Sequence, residues 1–329
     1  RWPVISRAGQ LSSLLTTTPL HGFRNLIING NFDIWQRGDT FIDPGAWSYT
    51  ADRWRVAYDG SPVGLAVSRH DFALGQTDVP GEPRHFLRWQ MAGNSGATFM
   101  VLAQPVEGVR TLAGQVVTVT FYARAAAPMI INFGLTQFFG TGGSPSADVL
   151  TLLGSAELTT EWTRVSAADV LPSMTGKSLG TNGNDALVLN IFSTPNEAFT
   201  IDIAHVSLVP GDATAELDPF ASRHIGQEIA LCQRYYQRAD WPHFTARSLS
   251  TTFGTDVPVP FPVIMRATPT VTLWSPITLA AGKARDYEGS ADVDAVVAST
   301  NPAGFYAAVA PAAAVGNRLG FIYEASAEL

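Results

Sequence analysis

At 329 residues the chain is long enough for two domains with their own cores, and its 46% apolar and 15% charged residues are typical of a folded protein. A net charge of −7 with scattered lysine and arginine argues against nucleic-acid binding, which normally needs a basic patch. No apolar run approaches the length of a membrane span, so no membrane insertion is expected. A single cysteine, Cys232, excludes an intrachain disulfide and a cysteine-based zinc site.

The first 23 residues are typical of an extended arm. They lack the apolar core and the small-residue cleavage site of a signal peptide, and Pro3 and Pro19 favour extended backbone. We therefore expect residues 1–23 to form an N-terminal attachment arm that docks on another subunit.

Residues 25–38, N-L-I-I-N-G-N-F-D-I-W-Q-R-G, form the motif around which the rest of the chain is organised. Its apolar run 26–28 favours a buried strand, and Asn29 with Gly30 favours a sharp bend because both residue types tolerate positive φ. Beyond the bend, Asn31 and Asp33 share one face on a period of two. Their oxygen atoms suit either Asx capping of the turn or a hard cation such as calcium.

Short apolar stretches separated by turn residues continue to about residue 218, and this pattern predicts an all-β domain over 24–218. Nine segments suit strands, several with clean polar and apolar alternation: 65–68, 85–90, 98–103, 116–124, 129–135, 149–153, 163–167, 186–192 and 199–208. Their number and spacing indicate a jelly-roll β-sandwich.

One linking helix is predicted over 219–239, followed by a smaller β domain over 240–329. Ile225, Ile229, Cys232 and Tyr236 recur at helical spacing, so this stripe packs either on the sandwich or against two copies at a molecular axis. The later segments 244–253, 257–265, 268–274, 292–299, 304–310 and 318–325 suit strands.

The opening motif, with Y-T-A-D-R-W at 49–54, resembles the start of a β-sandwich module in phage tail-fibre and head-fibre proteins. Related openings occur in carbohydrate-binding modules of the galactose-binding jelly-roll type. Residues 159–162, 171–185 and 225–236 resemble the same phage family in the same order, so the resemblance covers about residues 23–238. The head-spike fibre of a gene transfer agent fits as well as a tail fibre.

The resemblance implies a place on the surface of a virion or phage-like particle and synthesis in the bacterial cytoplasm. It also implies contacts with other particle proteins and assembly as a homotrimer or another homo-oligomer. In similar calcium-bearing jelly rolls, an acidic residue of the closing strand meets the opening turn. The resemblance thus adds Asp202 to Asn31 and Asp33 as a candidate structural calcium site, whereas Mg²⁺ would need stricter octahedral geometry.

Non-catalytic binding of host capsular polysaccharide is the main functional hypothesis. Sugars present flat C–H faces and many hydroxyl groups, so their sites combine aromatic rings with planar polar groups. The candidate residues supply both: Arg88, Trp89, Gln90, Tyr122, Arg124, Gln137, Phe138 and Phe139. For Trp89 and for the rings of the 137–139 loop, core packing is an equal alternative. Trp54 and Trp162 are expected in the core.

Two alternative functions stay open. A tailspike-type hydrolase needs two carboxylates at a set separation, and the acidic residues Asp52, Asp59, Asp71, Asp78, Glu82 and Asp185 form no recognisable pair in the sequence. There is no zinc-type histidine spacing, G-x-S-x-G elbow or P-loop, so we expect no enzymatic activity. The other alternative is a purely structural spike or adaptor subunit that links virion proteins.

Overall fold

The computed structural model describes residues 24–329, with the backbone alone for residues 240–245, so the predicted arm 1–23 lies outside the described residues. The described chain divides into two compact units. Unit 1 holds the residues up to Asp33, Ile42–Ala46 and Ala57–Ile225, and unit 2 holds Ile34–Phe41, Trp47–Val56 and Gly226–Leu329.

Unit 1 contains strands of two antiparallel sheets. In chain order the strands are β1 (Thr40–Ile42), β2 (Arg55–Tyr58), β3 (Ala66–Asp71), β4 (His85–Met91), β5 (Met100–Glu107), β6 (Val116–Ala125), β7 (Met129–Phe138), β8 (Val149–Leu158), β9 (Thr163–Val170), β10 (Ala186–Phe192) and β11 (Phe199–Pro210). The six-stranded sheet has the order β1-β3-β4-β11-β6-β9, and the five-stranded sheet has the order β2-β5-β10-β7-β8. The short strands β1 and β2 cross the boundary between the units.

The two sheets form a jelly-roll β-sandwich, which confirms the predicted fold class. Phe121 of β6 and Phe133 of β7 meet edge to face across the core, with 5.3 Å between ring centroids. Alternation places Val117 and Val119 of β6 on the same buried face as Phe121. All nine predicted segments overlap strands β3 to β11, whereas β1 and β2 were not predicted.

Unit 2 contains the helix α1 (Ile225–Gln233) except its first residue, and the strands β12 (Tyr236–Arg247), β13 (Thr255–Pro260), β14 (Thr270–Trp274), β15 (Lys283–Asp286), β16 (Ala291–Asn301), β17 (Gly304–Val309) and β18 (Arg318–Ser326). Their sheet has the order β12-β18-β15-β16-β17-β13, with β14 paired to β18. Phe305, Phe321 and Tyr323 are among the aromatic residues of its core.

The helix is shorter than predicted. It ends at Gln233, and Tyr236, the last residue of the predicted helical stripe, begins strand β12. Cys232 is buried, while Ile225 and Ile229 are exposed. No helix among residues 24–329 has the length and apolar character needed to cross a membrane.

Two segments of the predicted jelly-roll range belong to unit 2, namely Ile34–Phe41 and Trp47–Val56. Arginines of these segments bind the C-terminal residues of unit 2. Arg37 and Arg53 both pair with Glu328, and Arg55 donates to the Leu329 carbonyl oxygen at 2.8 Å. The predicted boundaries 24–218, 219–239 and 240–329 divide the chain into continuous ranges, so they do not assign two separate segments of the first range to unit 2. These boundaries stay predictions.

Candidate functional site

The opening motif folds as a tight turn against strand β11. Asn29 has a φ of 56°, and the Gly30 carbonyl oxygen accepts a hydrogen bond from the Val206 backbone N–H at 2.9 Å. Asn31 Oδ1 lies 3.0 Å from Nδ1 of the buried His205, whose Nε2 lies 3.0 Å from Asp218 Oδ1. The side chain of Asn31 thus ties the turn to β11.

The outer face of the six-stranded sheet, defined as the side opposite the sandwich core, carries the densest set of predicted site residues. On β4 the buried Leu87, Trp89 and Met91 face the core, so Arg88 and Gln90 face outward. Outward residues of the neighbouring strands are Asp202 on β11, with Tyr122 and Arg124 on β6. Strand register therefore assembles these side chains on one surface.

Arg88, Asp202 and Arg124 form a cross-strand row, here called the Arg–Asp–Arg row. Asp202 pairs in register with Arg88 on one side and with Arg124 on the other. Arg88 donates from Nε to Asp202 Oδ1 at 2.7 Å and from Nη2 to Oδ2 at 2.9 Å. Arg124 donates from Nε to Asp202 Oδ2 at 2.9 Å. One carboxylate thus fixes two guanidinium groups.

Exposure differs sharply within this row. The Asp202 side chain is 5% exposed, whereas those of Arg88 and Arg124 are 30% and 34% exposed. Among the described residues, both Nη groups of Arg124 and the Nη1 group of Arg88 donate to no protein acceptor. The solvent side of the row therefore presents oriented donors, and the acceptor lies beneath them.

Aromatic rings support the arginines. The Arg124 guanidinium carbon lies 4.9 Å from the Trp162 ring centroid and 5.6 Å from that of Phe86. The Arg88 guanidinium carbon lies 6.0 Å from the Phe86 centroid. Trp162 is partly exposed, so its predicted place in the core is corrected: it packs outside the sandwich with Phe72 and Phe86.

A groove of about 550 Å³ lies beside this surface, where β3 connects to β4. Its lining combines apolar and charged side chains: Asp71, Phe72, Ala73, Leu74, Glu82, Pro83, Arg84 and His85. Phe72 joins the groove to the aromatic cluster, since its ring centroid lies 5.1 Å from that of Trp162. Its volume lies within the range of small-ligand pockets.

The electrostatics of the outer face reflect the charged row. The hydrogen bonds to Asp202 raise the pKa of Arg88, which therefore stays a cation. Burial, with the positive charge of Arg88 as a second cause, lowers the pKa of His70 on β3. Burial also raises the pKa of Tyr122, so its phenol stays protonated and can donate a hydrogen bond.

Three predicted sugar-binding residues need correction because their side chains are fully buried. Trp89 faces the core and packs edge to face against Phe199, with ring centroids 4.8 Å apart. Gln137 donates to the Pro172 carbonyl oxygen at 3.0 Å, and Phe139 is enclosed in the core. Gln90 is exposed, while Phe138 and Tyr122 are partly buried. Only a side chain with exposed surface can contact a polysaccharide.

Two of the three predicted calcium ligands, Asn31 and Asp202, lie in different hydrogen-bonding networks. Asn31 contacts His205, whereas both carboxylate oxygens of Asp202 accept from guanidinium groups. Among the side chains that the structure describes, no cluster of three or more His, Cys, Asp and Glu could hold a metal ion. The calcium site at Asn31, Asp33 and Asp202 stays a prediction.

No known protein family matches the sequence, and no curated protein matches it. Among solved structures, the chain is similar to a CBM4 carbohydrate-binding module, at 15% identity over 56% of this chain and 98% of that one, with a TM-score of 0.34. It is also similar to the CBM22-1 xylan-binding domain of Paenibacillus barcinonensis Xyn10C, at 12% identity over 56% and 94%, with a TM-score of 0.34.

A third similar structure is the enzymatically active domain of tailspike protein 4 from bacteriophage CBA120, at 12% identity and a TM-score of 0.35. That match covers 58% of this chain and 22% of the tailspike chain. Similarity at this level carries no argument about the ligand or activity of this chain. What the outer face can do must follow from its own residues.

Proposed function

We propose that this chain is a fibre or spike protein of a phage or phage-like particle that binds host-surface polysaccharide without cleaving it. The Arg–Asp–Arg row is the observation that carries this proposal. It presents planar, oriented N–H donors on the outer sheet face, beside the partly exposed ring of Trp162. Planar donors match sugar hydroxyl groups, and an aromatic ring matches the apolar C–H face of a sugar.

Preorganisation supports the binding role. A free arginine side chain loses considerable rotamer entropy when it becomes fixed on a ligand. Here Asp202 already holds Arg88 and Arg124 by three hydrogen bonds, and all three residues lie on sheet strands. Gln90 extends the polar surface by one outward position along β4 and is exposed. Little ordering therefore remains to oppose ligand binding.

The particle role is supported by the sequence resemblance of residues 25–38 and 49–54 to phage fibre proteins. In that role the polysaccharide would be a capsule or another host-surface glycan, and binding would lead to reversible adsorption. Non-catalytic binding is favoured because Asp202 is engaged by two guanidinium groups, so it is a poor candidate for the proton transfer that glycoside hydrolysis requires.

The test is adsorption of the purified chain to host cells with and without their capsule. We expect capsule-dependent binding that Arg124→Gln weakens. Arg110→Gln is the matched control, because it also removes one positive charge of unit 1 but lies at an exposed position on another segment. Equal retention on both cell types would overturn glycan recognition and favour a structural adaptor. Release of soluble oligosaccharide would instead establish a hydrolase.

A further inference from the structure

We infer that the outer face recognises an acidic sugar, and that the carboxylate of a uronic-acid-type residue binds across Arg88 and Arg124. This inference rests on the proposed polysaccharide binding and specifies the chemical class of its ligand. The starting point is charge. Two guanidinium cations and one carboxylate leave the Arg–Asp–Arg row with a formal charge of +1.

The positions of the charges make the solvent side more cationic than the sum suggests. The negative group, Asp202, is almost entirely buried, while roughly a third of each arginine side chain is exposed. A ligand approaching from solvent therefore meets the guanidinium groups before it meets the carboxylate. An anionic group gains from both cations, whereas a neutral hydroxyl gains only a hydrogen bond.

The free donors also match the geometry of a carboxylate. Arg124 uses only Nε for Asp202, so both of its Nη groups stay available among the described residues, and Arg88 keeps Nη1. Neighbouring strands lie about 4.8 Å apart, so the Cα atoms of Arg88 and Arg124, two strands apart, are separated by about 10 Å. Their side chains converge on Asp202 between them, which brings the free donors within reach of one planar anion.

Among the described residues, Asp202 is the one carboxylate that forms an ion pair with Arg88 or Arg124. His70, which faces the row from β3, has a lowered pKa because of burial and the nearby Arg88. Asp71 lies at the end of β3, where its carboxylate is 2.7 Å from His85 Nδ1. Gln90 and Thr200, which pair in register on the next outward row, are uncharged. A ligand carboxylate would therefore be the natural counter-ion.

The net charge of the whole chain opposes nonspecific binding of acidic polysaccharides. With a net charge of −7, the protein repels polyanions at long range, so binding of an acidic polysaccharide needs a local cationic site. A basic protein would attract polyanions nonspecifically, which would complicate a binding experiment. This acidic chain repels them instead.

The experiment uses four uronic-acid polysaccharides, namely alginate, polygalacturonate, hyaluronan and colanic acid, each native and after carboxyl reduction. Affinity electrophoresis of the full chain measures retardation by each form. We expect at least one native polymer to bind, carboxyl reduction to abolish that binding, and Arg124→Gln to weaken it about 10- to 100-fold, as for loss of a charge-assisted contact. Arg124→Lys should fall between, because it keeps the charge and loses the fork.

The controls separate this inference from the proposed function. Arg110→Gln should bind like the wild type, and thermal unfolding should show that Arg124→Gln remains folded, since Arg88 still pairs with Asp202. Binding that survives carboxyl reduction would overturn the acidic ligand and leave polysaccharide binding intact. Binding that Arg124→Gln and Arg110→Gln weaken equally would do the same. Binding to no polymer would also overturn it, and capsule-dependent adsorption would then decide the proposed function separately.

Discussion

Among single residues, Asp202 shows how burial decides the role of a carboxylate. Dehydrating a carboxylate costs several kcal/mol unless partners replace the lost water. Arg88 and Arg124 replace it with three hydrogen bonds, and the strand register places all three residues side by side. A calcium ion at Asp202 would have to compete with both guanidinium groups. The same carboxylate that suggested a metal ligand is thus used to orient two cations.

Asp52 in unit 2 leads to a prediction about pH. Burial raises the pKa of Asp52 to about 6, although hydrogen bonds from Gln36 act to lower it. Since the unfolded value is near 3.8, the folded state binds the proton more tightly, and stability falls as the pH rises through about 4 to 6. The shift of about two units corresponds to about 3 kcal/mol. We expect Asp52→Asn to remove this loss, measured as unfolding free energy in urea from pH 4 to 7.

Asp59 in unit 1 provides a control of opposite sign. A hydrogen bond from the Thr98 side chain lowers the pKa of Asp59, so its stabilising contribution is present at neutral pH and is lost as the pH falls. Asp59→Asn should therefore reduce stability at pH 7 more than at low pH. If the wild type and Asp52→Asn differed by the same free energy at every pH, the assignment of the titration to Asp52 would be wrong.

Among the structural elements, strand β11 and the opening turn depend on each other. The register of β11 against β6 shifts between Ala204 and Ser207, and His205 within this bulge has a φ of 56°. The bulge lets the Val206 N–H reach the Gly30 carbonyl oxygen. It also brings the His205 ring between Asn31 and Asp218. Local irregularity in one strand thus positions the motif at the start of the described chain.

Gly30 lies too close to strand β11 to accept a larger side chain, which leads to a prediction about stability. A Cβ atom there would collide with the Val206 carbonyl oxygen and lie 2.9 Å from Cε2 of Phe220. The backbone cannot move away easily, because Gly30 is hydrogen-bonded to Val206. We expect Gly30→Ala to lower the free energy of unfolding by about 3 kcal/mol, as overpacking of a close contact does. Gly93→Ala is the control, since nothing lies within 4 Å of its added Cβ; equal losses would contradict the steric argument.

The sequence predicted the elements whose residues alternate regularly. Strands β3 to β11 and the jelly-roll class were recognisable because alternation is a local property. The short strands β1, β2 and β15 have three or four residues each, which is too few for a period to be seen. The exchange of segments 34–41 and 47–56 with unit 2 depends on ion pairs across nearly 300 residues, and no local pattern encodes them.

The candidate site was predicted in part for the same reason. Arg88, Gln90, Tyr122 and Arg124 were placed on the correct strands, but adjacent residues of a strand face opposite sides, so Arg88 and Trp89 could not both face a ligand. Which of them faces outward follows from the position of the core. The pairing of Asp202 with both arginines needs the order β4-β11-β6, which sequence separation alone does not reveal.

For the whole molecule, the proposed role predicts a strong dependence on valency. The exposed part of the Arg–Asp–Arg row is small, so we expect a single site to bind weakly, and several copies on one particle to gain effective concentration without any new contact. Display of many copies on one bead should strengthen apparent binding to immobilised capsular polysaccharide by about 100-fold or more over the monomer. Surface plasmon resonance on immobilised capsule measures both forms. Beads carrying Arg124→Gln should bind far more weakly than wild-type beads, because multivalency multiplies a site affinity that the variant lowers. Equal apparent affinities for the monomer and the wild-type beads would rule out adsorption through repeated weak sites.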